Sequence, residues 1–160
     1  MNKQRILVTG ANGFIAKNLL IRMGEKPDIE TLAFVRGDSV EALTALVARA
    51  DAVIHLAGEN RPNDVVDFTS TNIDLTSTLC DAIQRTGRNI PLIFASSAQA
   101  QYDNPYGRSK LAAEKVMEAF AAKTDNSVII YRLVGVFGKF CKPNYNSVVA
   151  TFCHNIARGL

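Results

Sequence analysis

Apolar and polar positions follow two regular periods along the chain, one typical of strands and the other of helices. Short, almost continuous apolar runs predict five strands, at residues 4–9, 31–35, 52–56, 91–96 and 127–133. Apolar residues at helical spacing predict helices at residues 14–23, 40–49, 66–85, 106–122 and 147–158. The polar stretches 59–65, 98–105 and 138–146 are then expected to be loops.

The alternation of strands and helices predicts one α/β domain. Strands that are apolar throughout are buried on both faces, which indicates a parallel sheet with helices on each side. Right-handed crossovers between such strands give a doubly wound sheet, the Rossmann fold, with about five strands. The length of 160 residues suits a single domain with a full hydrophobic core.

Composition narrows the function without identifying it. Hydrophobic residues make up 48% and charged residues 21% of the chain, and a net charge of +3 argues against nucleic-acid binding. No apolar run approaches the roughly 18 residues of a membrane span, and the first run is too short for a signal peptide. The three cysteines lack Cys-x-x-Cys spacing, so we expect reduced thiols in a cytoplasmic protein. Cys153-His154 has no companion ligands, so no metal site is predicted.

A glycine-rich loop joins the first strand to the first helix at residues 9–16. Gly10 permits a tight turn, and Gly13 lets a pyrophosphate approach the helix N-terminus, where free N–H groups favour an anion. Ala16 takes the third position of the fingerprint, which governs helix–strand packing and tolerates alanine. The loop therefore favours dinucleotide binding over a plain β–α turn, with contacts from Gly10, Asn12, Gly13, Phe14 and Ile15.

The end of the second strand bears on the choice of cofactor. An acidic residue there favours NAD, whereas arginine accommodates the 2′-phosphate of NADP. The chain has Arg36 at this point and no acidic residue until Asp38, which predicts NADP, with NAD as the alternative. A solvent-facing arginine in a turn is the other interpretation of Arg36.

Tyr106 and Lys110 lie four residues apart in the segment with the strongest helical signal. Positions i and i+4 share one face of a helix, so both side chains can act on one bound molecule. A neighbouring ammonium favours the phenolate, and a tyrosine tuned in this way can exchange a proton with a substrate oxygen. The pair alone is weak support, because many exposed helices carry it by chance.

Several segments together resemble the extended short-chain dehydrogenase/reductase family, the NAD(P)-dependent sugar epimerases and dehydratases. They are the glycine loop, residues 55–58, Asn72, residues 96–97, the Tyr-x-x-x-Lys pair and residues 132–138. The resemblance implies that Tyr106 is the acid/base and that Lys110 holds the nicotinamide ribose and lowers the pKa of the tyrosine. It implies that Ser97, with Ser96 as the fallback, bonds the reacting oxygen.

The same resemblance extends to the supporting residues. It implies that Leu56, Ala57 and Gly58 pass beneath the cofactor. It also gives Asn72 a part in a water-linked proton relay, although an asparagine within a helix is equally typical of an exposed surface position.

Within that family the chain is more similar to the bifunctional CapF/WbjC-type enzymes of capsular polysaccharide synthesis. This rests on a short connection at residues 97–106, the string at 137–147 and a compact segment at 36–51 that predicts the sheet order 2-1-3-4-5. The similarity implies NADPH-dependent reduction of the C4 ketone of a UDP-2-acetamido-2,6-dideoxy-hexose, towards N-acetyl-L-fucosamine in capsule or O-antigen. It also implies a C-terminal cupin epimerase domain in full-length relatives, and it leaves a homodimer open.

Two departures keep other functions open. Val134-Gly135 stands where relatives usually have Pro-Asn, and that asparagine commonly touches the sugar nucleotide. The chain is expected to form an NAD(P)-binding Rossmann domain over 1–160, in which 139–160 begin a truncated substrate-binding region. The alternatives are an NAD-dependent nucleotide-sugar 4-epimerase or dehydratase, and a truncated NADP-binding fragment without turnover.

Overall fold

The computed structural model describes residues 3–59 and 69–160, which form five strands and five α-helices. The strands are β1 (Gln4–Thr9), β2 (Ile29–Phe34), β3 (Ala52–His55), β4 (Leu92–Ser97) and β5 (Val128–Leu133). The helices are α1 (Phe14–Gly24), α2 (Val40–Arg49), α3 (Leu75–Arg85), α4 (Pro105–Lys123) and α5 (Val148–Ile156). A π-helical turn (Thr69–Asp74) leads into α3, and a 3-10 turn (Ala98–Gln101) follows β4.

The strands form one parallel sheet in the order β2-β1-β3-β4-β5, which confirms both the predicted order and the Rossmann fold. Their carboxyl ends lie at a common edge, where Thr9 is paired in register with Phe34 and His55. Ser96 is likewise paired with Arg132 across β4 and β5. Ligands of doubly wound sheets bind beyond this edge, so the fold gathers the predicted site residues at one place.

Most of the hydrophobic core lies on one face of the sheet, beneath α2, α3 and α4. Its fully buried members include Leu7, Val53, Leu92, Leu43, Leu79, Ile83 and Met117. A smaller cluster on the opposite face packs α1 against the sheet through Val8, Ala16 and Met23. Ala16 is 1% exposed, as expected for a fingerprint position at which the helix closely approaches the strands.

The start of helix α4 is defined by its capping residues. The Asn104 side chain accepts a hydrogen bond of 2.8 Å from the backbone N–H of Gly107, which caps the helix, and Pro105 occupies the first turn. Gly107 is required by the packing, because a Cβ there would lie 2.3 Å from the Gln99 carbonyl oxygen. The 3-10 turn and the start of α4 are thus in direct backbone contact.

Two predicted segments differ from the structure. The helix predicted at 66–85 lies partly outside the described residues, and its described part is the π-helical turn followed by α3. The loop predicted at 98–105 contains the 3-10 turn. Of the loop predicted at 59–65, only Glu59 falls within the described residues.

The expectation that helices cover both faces of the sheet is wrong for β5 within the described residues. On this edge strand Val128 and Ile130 pack against the main core, whereas Ile129 and Tyr131 face the other way and are 44% and 54% exposed. The helix α5 has no buried residue, although Phe152 and other apolar side chains lie on its surface. An apolar surface therefore extends along β5 and α5.

Candidate active site

A cavity of about 580 Å³ opens at the carboxyl edge of the sheet. Its walls come from the glycine loop, the ends of β3, β4 and β5, the first turns of α4 and the segment before α5. Most of the predicted catalytic and cofactor-binding residues line it, namely Gly10, Asn12, Gly13, Phe14, Ile15, Arg36, Leu56, Gly58, Ser97, Tyr106 and Lys110. Two further predicted residues, Ala57 and Asn72, do not line the cavity but contact residues that do.

The glycine loop has the geometry of an anion cradle. Gly10 has a φ of +68°, and a Cβ there would lie 2.7 Å from the Ala57 Cα, so the loop sits directly on the chain that follows β3. Gly13 caps α1 without any side-chain hydrogen bond, and the first turn of α1 carries no acidic residue. The free N–H groups of this helix end therefore face the cavity without competition from a carboxylate, which fits a bound pyrophosphate.

Ser97 and Tyr106 meet on the opposite wall. Ser97 ends β4 and Tyr106 lies in the first turn of α4, and a hydrogen bond joins the two side chains. Burial raises the pKa of the Tyr106 phenol, and the bond with Ser97 opposes that rise. The adjacent Ser96 also lines the cavity, but it is buried and its hydroxyl donates to Glu114. This arrangement favours Ser97 over Ser96 as the partner of a reacting oxygen.

Lys110 lines the cavity but is largely buried, with 5% of its surface exposed. Its Nζ donates to the Ala95 carbonyl at 3.0 Å and lies 4.9 Å from the centre of the Phe94 ring. Burial lowers the pKa of Lys110 to about 8, and the Glu114 carboxylate opposes the fall. Burial outweighs the bond from Ser97 at the phenol, while the Lys110 ammonium donates to the Ala95 carbonyl. The effect of Lys110 on the pKa of Tyr106 stays a prediction.

Asn72 is a buried scaffold residue rather than an exposed one, with 2% of its surface accessible. Its Oδ1 accepts from the Glu59 N–H at 2.8 Å, and its Nδ2 donates to the Glu59 carbonyl and to the Ser109 hydroxyl, each at 3.0 Å. A Cβ on Gly58 would lie 3.0 Å from both Asn72 Oδ1 and Lys110 Nζ. Asn72 thus holds the segment that follows β3 against α4. Gly58 is needed in this segment because a side chain there would collide with Asn72 and Lys110.

His55 continues this network into the core. The Thr76 hydroxyl donates to the Asn72 carbonyl at 2.8 Å, so the His55 Nε2, 3.0 Å away, must donate to Thr76. The His55 Nδ1, 2.6 Å from the Thr9 hydroxyl, then accepts from it. These bonds are satisfied by a neutral ring with its proton on Nε2, and complete burial lowers the pKa of His55 to about 3.

Arg36 lies at the far end of the cavity from Tyr106, beside the glycine loop. Its guanidinium forms an ion pair of 2.7 Å with Glu59, which sequence reasoning missed. The Arg36 side chain is 79% exposed and that of Glu59 is 17% exposed. The pair joins the segments that follow β2 and β3, although the Arg36 side chain is still largely exposed to solvent.

The segment between β5 and α5 closes the cavity on the remaining side. The cavity is lined here by Phe140, Lys142, Tyr145 and Asn146. Their segment carried part of the family resemblance, but none of the four was predicted to be a site residue. The Lys139 carbonyl accepts a hydrogen bond of 2.7 Å from Asn18 of α1, which holds the segment over the glycine loop. These residues could be found only from the three-dimensional contact, because the segment has no regular pattern.

Gly135 lies apart from the cavity lining, whereas its neighbour Val134 is part of it. A Cβ on Gly135 would meet no atom within 4 Å, so the position has room for a larger residue.

Glu114 and Arg132 form a second pair that the sequence did not reveal. Glu114 follows Lys110 by one turn of α4, is 2% exposed and accepts two hydrogen bonds from the Arg132 Nε, at 3.0 and 3.2 Å. The spacing of four residues from a candidate catalytic lysine was the available signal, but an acidic residue in a helix is usually exposed. Burial could not be predicted without knowing its partner on β5.

The described residues contain neither a helix long and apolar enough to cross a bilayer nor a group of three or more His, Cys, Asp or Glu side chains placed to hold a metal ion.

A doubly wound sheet with a glycine loop after β1 and a Ser97–Tyr106–Lys110 set facing it is the arrangement of the extended short-chain dehydrogenase/reductase class. Residues 6–160 match the model of the NAD dependent epimerase/dehydratase family, and the chain belongs to that family.

Individual relatives agree with this assignment. The chain is 47% identical over 156 residues to a UDP-2-acetamido-2,6-beta-L-arabino-hexul-4-ose reductase of Pseudomonas aeruginosa, with 98% of this chain and 42% of the relative covered. A crystal structure of the capsular polysaccharide assembling protein CapF from Staphylococcus aureus superposes with a TM-score of 0.83 at 41% identity, over 99% of this chain and 42% of that one. The chain therefore spans about two fifths of the length of these relatives.

The fold is also shared with more distant proteins. UDP-glucuronic acid 4-epimerase from Bacillus cereus, solved in complex with NAD, superposes with a TM-score of 0.82 at 18% identity, over 96% of this chain and 64% of that one. At that identity the similarity shows the fold alone.

Proposed function

We propose that this chain is the reductase domain of a nucleotide-sugar enzyme, which uses NADPH to reduce the C4 ketone of a UDP-2-acetamido-2,6-dideoxy-hexose for capsule or O-antigen synthesis. The observation that carries the proposal is the convergence of Ser97, Tyr106 and Lys110 on one cavity with the glycine loop. The 47% identity to a UDP-sugar ketone reductase supports the substrate class. The product would lie on the route to N-acetyl-L-fucosamine, and the reaction would take place in the cytoplasm.

The residues of the cavity fit a dinucleotide along its length. The uncapped end of α1 with Gly10 and Gly13 would hold the pyrophosphate, since its N–H groups are free and a side chain at Gly10 would not fit. Leu56 and Gly58 would support the cofactor from beneath, and Arg36 would contact the adenosine ribose. When bound, the cofactor supplies the hydride that the carbonyl carbon receives.

Tyr106 is suited to give a proton to the substrate oxygen. Its raised pKa means that the phenol carries its proton at neutral pH, which is the form a reduction needs. The hydroxyl of Ser97, already hydrogen-bonded to Tyr106, would stabilise the negative charge that develops on the oxygen. Lys110 would place a positive charge beneath the cofactor and assist the phenolate that remains after proton transfer.

NADPH is preferred in this proposal because of Arg36. Its ion pair with Glu59 keeps the guanidinium beside the glycine loop, where a 2′-phosphate would approach. A phosphate dianion carries more charge than a carboxylate and would compete with Glu59 for the arginine. NAD is the alternative cofactor.

The longer relatives bear on partners. This chain covers 42% of the Pseudomonas aeruginosa reductase and of the CapF chain, so a complete substrate site would draw on sequence beyond these residues. We propose that full-length relatives carry a C-terminal cupin epimerase domain after this region. We also propose that the protein forms a homodimer. The apolar surface along β5 and α5 is available for contact with such additional structure.

Two binding and turnover measurements test the proposal. NADPH and NADH are titrated separately against the purified chain, and tighter binding of NADPH that is lost in Arg36→Ala is expected. NADH binding as tight as that of NADPH would contradict the role of Arg36.

Turnover of a UDP-4-keto-6-deoxy-HexNAc is then followed by NADPH oxidation. Tyr106→Phe should lower kcat by at least about 100-fold, because general acid catalysis typically contributes 10²–10⁴-fold. Tyr102→Phe is the matched control, since Tyr102 directly follows the 3-10 turn and is 56% exposed. Activity that survives Tyr106→Phe would overturn the catalytic assignment.

A binding domain without turnover is the second candidate, favoured by the 42% coverage of the relatives. In that case NADPH binds to the chain and the UDP-sugar is not reduced. A 4-epimerase or dehydratase would instead convert its substrate without net oxidation of the cofactor, which the same assay detects.

A further inference from the structure

The carboxylate of Glu114 is buried one helical turn beyond Lys110. It is 2% exposed, on the face of α4 that packs against β4 and β5. Each of its oxygens is hydrogen-bonded: Oε1 accepts from the Ser96 hydroxyl and from the Arg132 Nε at 3.0 Å, and Oε2 accepts from the Arg132 Nη2 at 2.6 Å. These hydrogen bonds stabilise the ionised form of the carboxylate.

Burial of a carboxylate is unfavourable unless its partners compensate for lost hydration. Burial alone raises the pKa of Glu114, but the bonds from Arg132 and Ser96 reverse this, so the pKa lies below its ordinary value. The neighbouring buried positions of α4 carry Ala113 and Met117, which shows that an apolar side chain suits this face of the helix. A charged residue in their midst therefore calls for a role beyond packing.

Glu114 is linked to the candidate catalytic set in two ways, by a hydrogen bond to the end of β4 and by its position on α4. Ser96, which donates to Glu114, directly precedes Ser97 at the end of β4. Lys110 precedes Glu114 by one turn of the same helix. The carboxylate thus ties the strand that carries the serine to the helix that carries the tyrosine and the lysine.

The charges around Lys110 single out Glu114 among the described residues. On α4 the lysine has Tyr106 one turn before it and Glu114 one turn after it, and His55 of β3, which is neutral, lies near it. Arg132 on β5 lies behind the Glu114 carboxylate, and Glu59 after β3 is paired with Arg36. Of these groups, Glu114 is the one whose charge raises the pKa of Lys110.

We propose that Glu114 is a positioning residue that keeps Lys110 in its ammonium form and locks the end of β4 against α4. Arg132 fixes the carboxylate from the solvent side. The catalytic consequence rests on the proposed reductase function, whereas the effect on Lys110 belongs to the folded chain itself. The carboxylate opposes the effect of burial on Lys110, so its removal would lower the pKa of the lysine further.

The test measures the protonation of Lys110 directly. The chain is labelled with ¹³C at the lysine Cε, the Lys110 signal is assigned with Lys110→Arg, and its titration midpoint is measured by NMR. Glu114→Gln should lower the midpoint by about one pH unit or more, as expected for loss of an opposite charge nearby. Glu118→Gln is the matched control, with the same charge change on the same helix at an exposed position. A Glu114→Gln midpoint equal to that of Glu118→Gln would overturn the inference.

A second variant guards against misfolding. If Glu114→Gln alone does not fold, the double variant Glu114→Gln/Arg132→Gln replaces the ion pair by two amides and leaves no unpaired charge. It should also lower the midpoint of Lys110, and an unchanged midpoint would again overturn the inference.

The catalytic consequence is read from the pH dependence of kcat. The alkaline limb of the Glu114→Gln profile should move to lower pH, whereas a purely structural defect would lower kcat equally at each pH. A lowered Lys110 midpoint in a chain that neither binds NADPH nor reduces the sugar would support the inference and refute the proposed function. If the wild-type chain reduces the sugar but Glu114→Gln leaves the Lys110 midpoint unchanged, the proposed function is supported and the inference about Glu114 is refuted.

Discussion

The imidazole of His55 makes the stability of the fold depend on pH. The ring is completely buried, stacks on Phe94 with a centroid distance of 5.4 Å, and lies between the hydroxyls of Thr9 and Thr76. Thr76 gives its proton to the Asn72 carbonyl, so the network accommodates one ring proton and leaves no natural acceptor for a second. Lowering the pH therefore disfavours the folded chain at His55.

The magnitude follows from the pKa of His55, which burial lowers from 6.5 to about 3. Between these values the unfolded chain binds a proton at His55 that the folded chain does not bind. Stability therefore falls as the pH drops below about 6.5, and at pH 5 the free energy of unfolding should be roughly 2 kcal/mol lower than at pH 8. This figure changes little if the folded pKa is anywhere below about 4, because His55 stays neutral at pH 5 in each case.

The assay is urea unfolding of the wild-type chain and of two variants at pH 8, 6 and 5. His55→Asn should be less stable at pH 8, since the threonines lose part of their bonding, but should lose little further stability at pH 5. His154→Asn, which removes the other histidine, should keep the wild-type dependence. An equal loss of stability in wild type and His55→Asn would refute the reasoning.

Two further predictions concern packing and thiol chemistry. Gly107→Ala should destabilise the fold by at least about 2 kcal/mol, because its Cβ would lie 2.3 and 2.5 Å from two carbonyl oxygens of the 3-10 turn region. Gly135→Ala, whose Cβ would meet nothing within 4 Å, should be neutral to within about 0.5 kcal/mol in the same urea measurement. Burial raises the pKa of the Cys80 thiol to about 12, so Cys80 should resist iodoacetamide at pH 8 while the exposed Cys153 is alkylated. Mass spectrometry of the digested chain measures the labelling of each cysteine. Rapid labelling of Cys80 in the folded chain would contradict the prediction.

Much of this fold could be predicted from local pattern. The sheet order followed from the compact segment 36–51, and the bounds of β1 and α2 coincide with the predicted ones because apolar runs and caps are local signals. Ser39, for example, accepts a hydrogen bond from the Ala42 N–H and so defines the start of α2. Such residues are visible in the sequence without knowledge of the rest of the molecule.

The electrostatics of the site could not be predicted in the same way. Arg36 meets Glu59 and Glu114 meets Arg132 across different strands, so neither pair has a fixed spacing in the sequence. The expectation that Lys110 lowers the Tyr106 pKa left burial out. It assumed that a four-residue spacing decides the electrostatics, whereas the depth of burial at the phenol outweighs it.

These pairings change how the Tyr-x-x-x-Lys spacing of α4 is understood. Both side chains line the cavity but differ in burial, since Tyr106 is half-buried whereas Lys110 and Glu114 are buried. Because Gly107 brings the start of α4 into backbone contact with the 3-10 turn after β4, the tyrosine is held beside Ser97. In the proposed reduction, the phenol would carry its proton before the transfer, and the phenolate formed on donation would be stabilised by the positive charge of Lys110. The helix would then stabilise the product of the proton transfer more than its starting state, which is how differential stabilisation lowers a barrier.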